Sequence, residues 1–170
     1  MQPAVSDSAN VSSSRNLGAA GANRILFALI AALSLAGVIV SAISLQRHYA
    51  KSATEFCDFS QQFSCDVVNR SEYSSIMGIP VAGIGMAGYA ALFVLAVFRK
   101  SRSETPNVLL GAAVAGLAFA SYLTYVEAYV LETWCILCLI SLALISLISI
   151  LALVVRLRQN KRVKRADVVF

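Results

Sequence analysis

The sequence predicts an all-α integral membrane protein: a bundle of four transmembrane helices with an outer loop, or lid, that carries a cysteine pair. Three observations lead there. The chain is 58% hydrophobic and only 14% charged, with a mean hydropathy of +0.73, well outside the usual composition of a soluble domain. Four apolar segments, about 24–45, 79–98, 108–130 and 134–155, each hold roughly 20 residues, the length that crosses a hydrocarbon core of about 30 Å. Backbone groups in lipid must be hydrogen-bonded internally, so each segment reads as a helix. Last, the cations alternate by side. Arg15, Arg24, Arg99, Lys100, Arg102, Arg156, Arg158, Lys161, Arg162, Lys164 and Arg165 fall on one side of the predicted spans, and only Arg47, Lys51 and Arg70 on the other.

That asymmetry places both termini in the cytoplasm by the positive-inside rule. It also accounts for the net charge of +5 without nucleic acid as a partner. Residues 1–23, rich in Ser, Ala and Asn, read as a disordered cytoplasmic tail. The first helix follows; its apolar run is longer than that of a cleaved signal peptide. Residues 46–78 form the outer loop. Loops this long tend to be functional, and Tyr49, Phe56, Phe59, Phe63 and Tyr73 give this one material for short helical pieces lying on the membrane surface. Gly78-Ile79-Pro80 closes the loop, with Pro80 opening the second helix. Pro106 marks the start of the third, and Glu132-Thr133 is a minimal turn into the fourth. Small residues on the helices (Gly37 and Ser41; Gly83, Gly85 and Gly88; Gly111 and Gly116) let neighbours approach closely in lipid. Residues 157–170 form a basic cytoplasmic tail.

The chain has four cysteines. Cys57 and Cys65 lie in the outer loop; Cys135 and Cys138 form a Cys-x-x-Cys at the top of the fourth helix. Both pairs therefore face the non-cytoplasmic side, where disulfides persist. Cys135 and Cys138, three apart, share a helix face, a spacing that suits a reversible disulfide. Cys135 sits where the helix dipole favours a thiolate, and Cys138 lies nearly a turn deeper. A Cys57–Cys65 bridge closes too short a loop to add much chain-entropy stability; it suits being made and broken. Two static disulfides in a non-enzymatic four-helix scaffold, or a four-cysteine zinc site, are the alternatives. Cys-x7-Cys is a loose spacing for zinc. His48, the sole histidine, reads as an interface residue.

Cys57-x7-Cys65, Ser71 six residues on, Gly78-Ile79-Pro80 and Trp134-Cys135-Ile136-Leu137-Cys138 together resemble the vitamin K epoxide reductase family, over about Ile25 to Val155. The resemblance implies a four-helix bundle around a quinone, capped by the loop. It implies that Cys135 and Cys138 are the active-site pair, with Cys138 reacting with the quinone, and that Cys57 and Cys65 are the shuttle pair. Ser71 would hydrogen-bond the quinone head group. The expected pocket lies below Cys138, with Leu142 and Ile145 on the same helix and Met86, Tyr89 and Tyr122 as walls. Animal members of the family carry an asparagine near the position of Val81 and a tyrosine at that of Leu142; both positions are apolar here. That difference favours the microbial role, a thiol:quinone oxidoreductase of the bacterial inner membrane. It would oxidise a separate periplasmic thioredoxin-like partner and pass electrons to ubiquinone or menaquinone. The other four-helix thiol oxidase family carries its Cys-x-x-Cys in the first outer loop, unlike this chain. No metal is expected.

Overall fold

A computed structural model describes residues 5–49, 64–98 and 105–167. It is built from α1 (Val5–Tyr49), α2 (Cys65–Arg70), a 3-10 turn (Glu72–Ser74), the two-residue strands β1 (Ser75–Ile76) and β2 (Ile79–Pro80), α3 (Val81–Phe98), α4 (Thr105–Tyr129) and α5 (Ile136–Asp167). Four stretches are long and apolar enough to cross a membrane: Gly21–Tyr49, Val81–Phe98, Thr105–Tyr129 and Ile136–Lys161. The shortest has 18 residues, which at about 1.5 Å of rise per residue spans about 27 Å. The chain is therefore an all-α four-helix membrane bundle.

The helices run past both ends of the apolar spans. Residues 1–23 were expected to be disordered, yet α1 starts at Val5. Between Val5 and Tyr49 there is no proline, and a helix already nucleated by its apolar half propagates at small cost through Ala- and Ser-rich sequence. The basic C-terminal segment likewise continues α5 to Asp167, with no glycine or proline after Gly116 to stop it. At α4 the helix opens at Thr105 with Pro106 in the first turn, where a missing N–H costs nothing.

Helix α1 packs between α3 and α5, and α5 against α4, whereas α3 and α4 touch much less. A dry core of Phe27, Ile30, Leu92, Ala96, Leu109, Ala113, Ile148, Ala152 and Val155 fills the end of the bundle away from the lid. Large apolar side chains such as Ile25, Ile39 and Ile150 point outward and are more than half exposed, which is the surface a bilayer covers. Gly37 is needed where it stands: a Cβ there would lie 2.4 Å from the Tyr89 ring, so α1 and α3 meet through an aromatic ring laid on bare backbone.

The lid contains α2, the 3-10 turn and a hairpin that pairs Ser75 with Pro80 and Ile76 with Ile79. Its two-residue turn is Met77-Gly78, both at positive φ (53° and 81°), the conformation that fits the twist of a tight hairpin. Helical pieces were the expectation for this loop; the hairpin is an addition. Pro80 ends β2, one residue before α3.

Candidate functional site

Two backbone features bring the lid to the head of α5. The Ser64 N–H donates to the Trp134 carbonyl at 3.2 Å, while the Ser64 hydroxyl caps α2 by accepting from Val67 N–H. Cys65, the first residue of α2, is thereby set beside Cys135, the residue just before α5. At the far end of α2, Asn69 Oδ1 accepts from the Ser44 hydroxyl at 2.7 Å, and the Asn69 carbonyl is bonded to the His48 ring. Ser74 Oγ also meets that ring. The lid is thus tied to α1 at one end and to the α4–α5 turn at the other.

Three of the four sulfurs stand together. Cys65 and Cys135 are fully buried, packed with Val68 and Leu137, and Cys138 borders the same cluster. The Cys135 thiol stands against both Cys138 and Cys65, so Cys135 is the middle of a Cys65–Cys135–Cys138 row. Cys57 lies outside the described residues. The Cys135 carbonyl accepts the first helical bond, from Leu139 N–H at 3.1 Å, which makes Cys135 the N-cap of α5. Its position had suggested a thiolate favoured by the helix dipole. The structure corrects this: its shared hydrogen bond with Cys138, reinforced by burial, pushes the Cys135 thiol far above the ordinary thiol range.

The α4–α5 turn folds back over the end of α4. Val130 and Leu131 N–H both donate to the Val126 carbonyl, and Thr133 N–H to that of Glu127. Glu132 takes a positive φ of 48° to make the reversal. This aims the Glu127 carboxylate at the sulfurs. Oε2 accepts the Cys135 N–H at 3.1 Å, which sets the carboxylate beside Cys138 on the cavity wall. Glu127 is 2% exposed, and its Oε1 has no partner among the described residues.

Beneath Cys138 lies a cavity of about 390 Å³ between the four helices and the lid, within the roughly 300–1,000 Å³ of small-molecule sites. Most of its wall is apolar, from Val40, Val81, Ile84, Leu92, Phe119, Leu123 and Ile145. Gly88, Ala91, Ala112 and Ala115 belong to its lining and are also exposed, so it opens to the bundle surface between the weakly packed α3 and α4. Of the residues expected around a pocket, Cys138, Ser71, Tyr89 and Ile145 line this cavity. Met86, Leu142 and Tyr122 are not among its lining residues. Met86 and Leu142 stand one position round their helices from the lining residues Gly85 and Ser141, and Tyr122 is 57% exposed on the outside of α4. Tyr89 is bolted in place, its hydroxyl donating to the Ser141 carbonyl at 2.8 Å. The Ser71 hydroxyl donates to the Val68 carbonyl at 2.8 Å, so its proton is committed to closing α2.

Two wall residues were passed over in the sequence. Asn69 lines the cavity with its Nδ2 buried and unpartnered among the described residues. Glu127 was not singled out there either. An ionisable residue inside an apolar helix is a functional candidate by default, and its place eight residues before Cys135 was the available signal.

Fold and site define a membrane dithiol protein whose buried sulfur row ends on a lipid-facing apolar cavity. Residues 28–153 match the vitamin K epoxide reductase family, and the chain belongs to that family. Its members are membrane oxidoreductases that link thiol–disulfide chemistry to quinone-type electron carriers.

Proposed function

We propose that this protein is a thiol:quinone oxidoreductase that generates disulfides. A reduced thioredoxin-like dithiol protein gives two electrons to the Cys57–Cys65 disulfide. Cys65 then attacks Cys135, resolution leaves Cys135 and Cys138 reduced, and their reoxidation delivers the electrons to a ubiquinone or menaquinone. The observation that carries this reading is the contact order of the sulfurs: Cys65 against Cys135, Cys135 against Cys138, and Cys138 on the cavity wall. Exchange needs a thiolate in line with the disulfide it attacks, and such a row supplies proximity to each successive pair.

The cavity suits a quinone head group. It is apolar, it is open between α3 and α4 for an isoprenoid tail, and Asn69 Nδ2, without a partner among the described residues, offers a donor for a carbonyl oxygen. Bound there, the quinone supplies the two-electron acceptor chemistry; the protein holds the sulfurs, excludes water and orients the head group. The cation asymmetry supports a bacterial inner-membrane orientation with the lid toward the periplasm.

The test uses full-length protein with Cys138→Ala. With Cys138 gone, Cys135 has no partner in its own pair; its attack on the Cys57–Cys65 disulfide, expelling the Cys57 thiolate, should leave a trapped Cys65–Cys135 disulfide, seen by mass mapping after alkylation. The wild type should reduce a short-chain quinone, followed by absorbance, when supplied with a reduced thioredoxin-like protein. No trapped bond and no quinone turnover would favour a scaffold with static disulfides.

A further inference from the structure

We propose that Glu127 is a catalytic proton carrier of this site: it takes the Cys138 proton as the dithiol is oxidised and hands it to the oxygen of the quinone being reduced. The inference rests on the thiol–quinone reading above and adds to it a residue that stands beside a reacting sulfur.

The placement of the carboxylate carries the argument. Glu127 stands beside Cys138, lines the same cavity and is 2% exposed. One oxygen is occupied by the Cys135 N–H; the other, Oε1, has no partner among the described residues. No Lys or Arg among them neutralises it. A purely structural cap for Cys135 N–H needs one neutral acceptor oxygen. A buried carboxyl with an idle oxygen is costly, and such groups in membrane segments mark proton routes. Among the described residues the other titratable groups around it are Cys138, Cys135 and Cys65, with His48 from α1, the half-exposed Tyr73 from the 3-10 turn and Tyr89 from α3 on the cavity wall. His48 is engaged with Asn69 and Ser74, and Tyr89 with Ser141, so neither is placed to serve Cys138.

The balance requires such a group. Two thiols forming one disulfide release two electrons and two protons; a quinone becoming hydroquinone takes up two of each. Cys65 and Cys135 are fully buried and Cys138 borders a mostly apolar cavity, so the carboxylate set beside the row is the group placed to collect its protons. The Glu127 carboxylate accepts the proton from Cys138, freeing its thiolate, and gives it to a quinone oxygen. As the Cys135–Cys138 bond closes, the Cys135 proton follows through the same carboxylate. Glu127 ends as it began, and the hydroquinone leaves with both protons.

The experiment uses full-length protein in lipid nanodiscs, reduced with dithiothreitol, desalted, and mixed with a short-chain ubiquinone in a single turnover. Glu127→Gln keeps an acceptor for the Cys135 N–H and cannot carry a proton. Loss of general acid–base help is expected to slow quinone reduction by about 10²-fold and to flatten its dependence on pH from about 5 to about 9. The Cys65–Cys135 bond trapped in a Cys138→Ala background should form as before when Glu127→Gln is added. Glu127→Asp, which keeps the acid, should recover part of the rate. A Glu127→Gln rate within threefold of wild type with an unchanged pH profile overturns the proposal. Should that variant not fold, a flat wild-type pH profile, or Glu127→Asp losing all activity while still trapping Cys65–Cys135, overturns it equally. A wild type that reduces no quinone sinks the thiol–quinone reading itself, a result separable from failure of the Glu127 variants alone.

Discussion

The two ends of the bundle are held together by different physics. At the lid end the contacts are directional: Ser64 on Trp134, Ser44 and His48 on Asn69, Glu127 on Cys135. At the other end Ile30, Leu109, Ile148 and Ala152 are wholly buried with apolar neighbours. Hydrogen bonds fix positions but contribute modestly to net stability; close packing stabilises without specifying chemistry. The contrast implies that stability and sulfur exchange can be damaged separately.

The largest expected stability effect comes from the dry end. Ile148→Ala, at a fully buried site, should cost about 2–5 kcal/mol by loss of contacts and the cavity left behind. Thermal unfolding in detergent checks this, and Cys65–Cys135 trapping below the melting point should be unaffected. At the junction of the two regions, Gly37→Ala would drive a Cβ to 2.4 Å from the Tyr89 ring, an overpacking worth about 1–3 kcal/mol. Because Tyr89 also lines the cavity, quinone reduction should fall along with stability. The smallest stability effect belongs to the lid. Asn69→Ala removes the acceptor for Ser44 and should cost about 0.5–1.5 kcal/mol, while slowing exchange between Cys65 and Cys135 far more than that loss suggests. If Ile148→Ala abolishes trapping, or Asn69→Ala leaves exchange untouched, the division between the two ends is wrong.

The same division explains what could be read from the sequence. The four spans follow from length and apolarity, because lipid leaves a backbone so few options. The Cys-x-x-Cys was visible because its chemistry depends on local spacing. Three-dimensional neighbours were harder. Asn69 and Glu127 acquire their meaning only when α2 docks and the α4–α5 turn reverses, both set by contacts between residues distant in the chain. The pocket was legible by depth, as with Ile145, but not by azimuth: Leu142 and Met86 are at suitable heights and stand off the lining face. The extension of α1 back to Val5 reflects a tail with no proline between Val5 and Tyr49, a propensity that composition alone had read as disorder.

The bond from Ser64 to Trp134 has a consequence for biogenesis. Its acceptor lies seventy positions downstream of its donor, and at about 5–20 residues per second a ribosome needs roughly 4–14 s to cover that distance. During that interval Cys65 has been synthesised and its buried seat has not. Closure of the reaction chamber is therefore among the last events in making the protein, and a chain cut short before Trp134 would keep three membrane helices while leaving an early cysteine open to any passing oxidant.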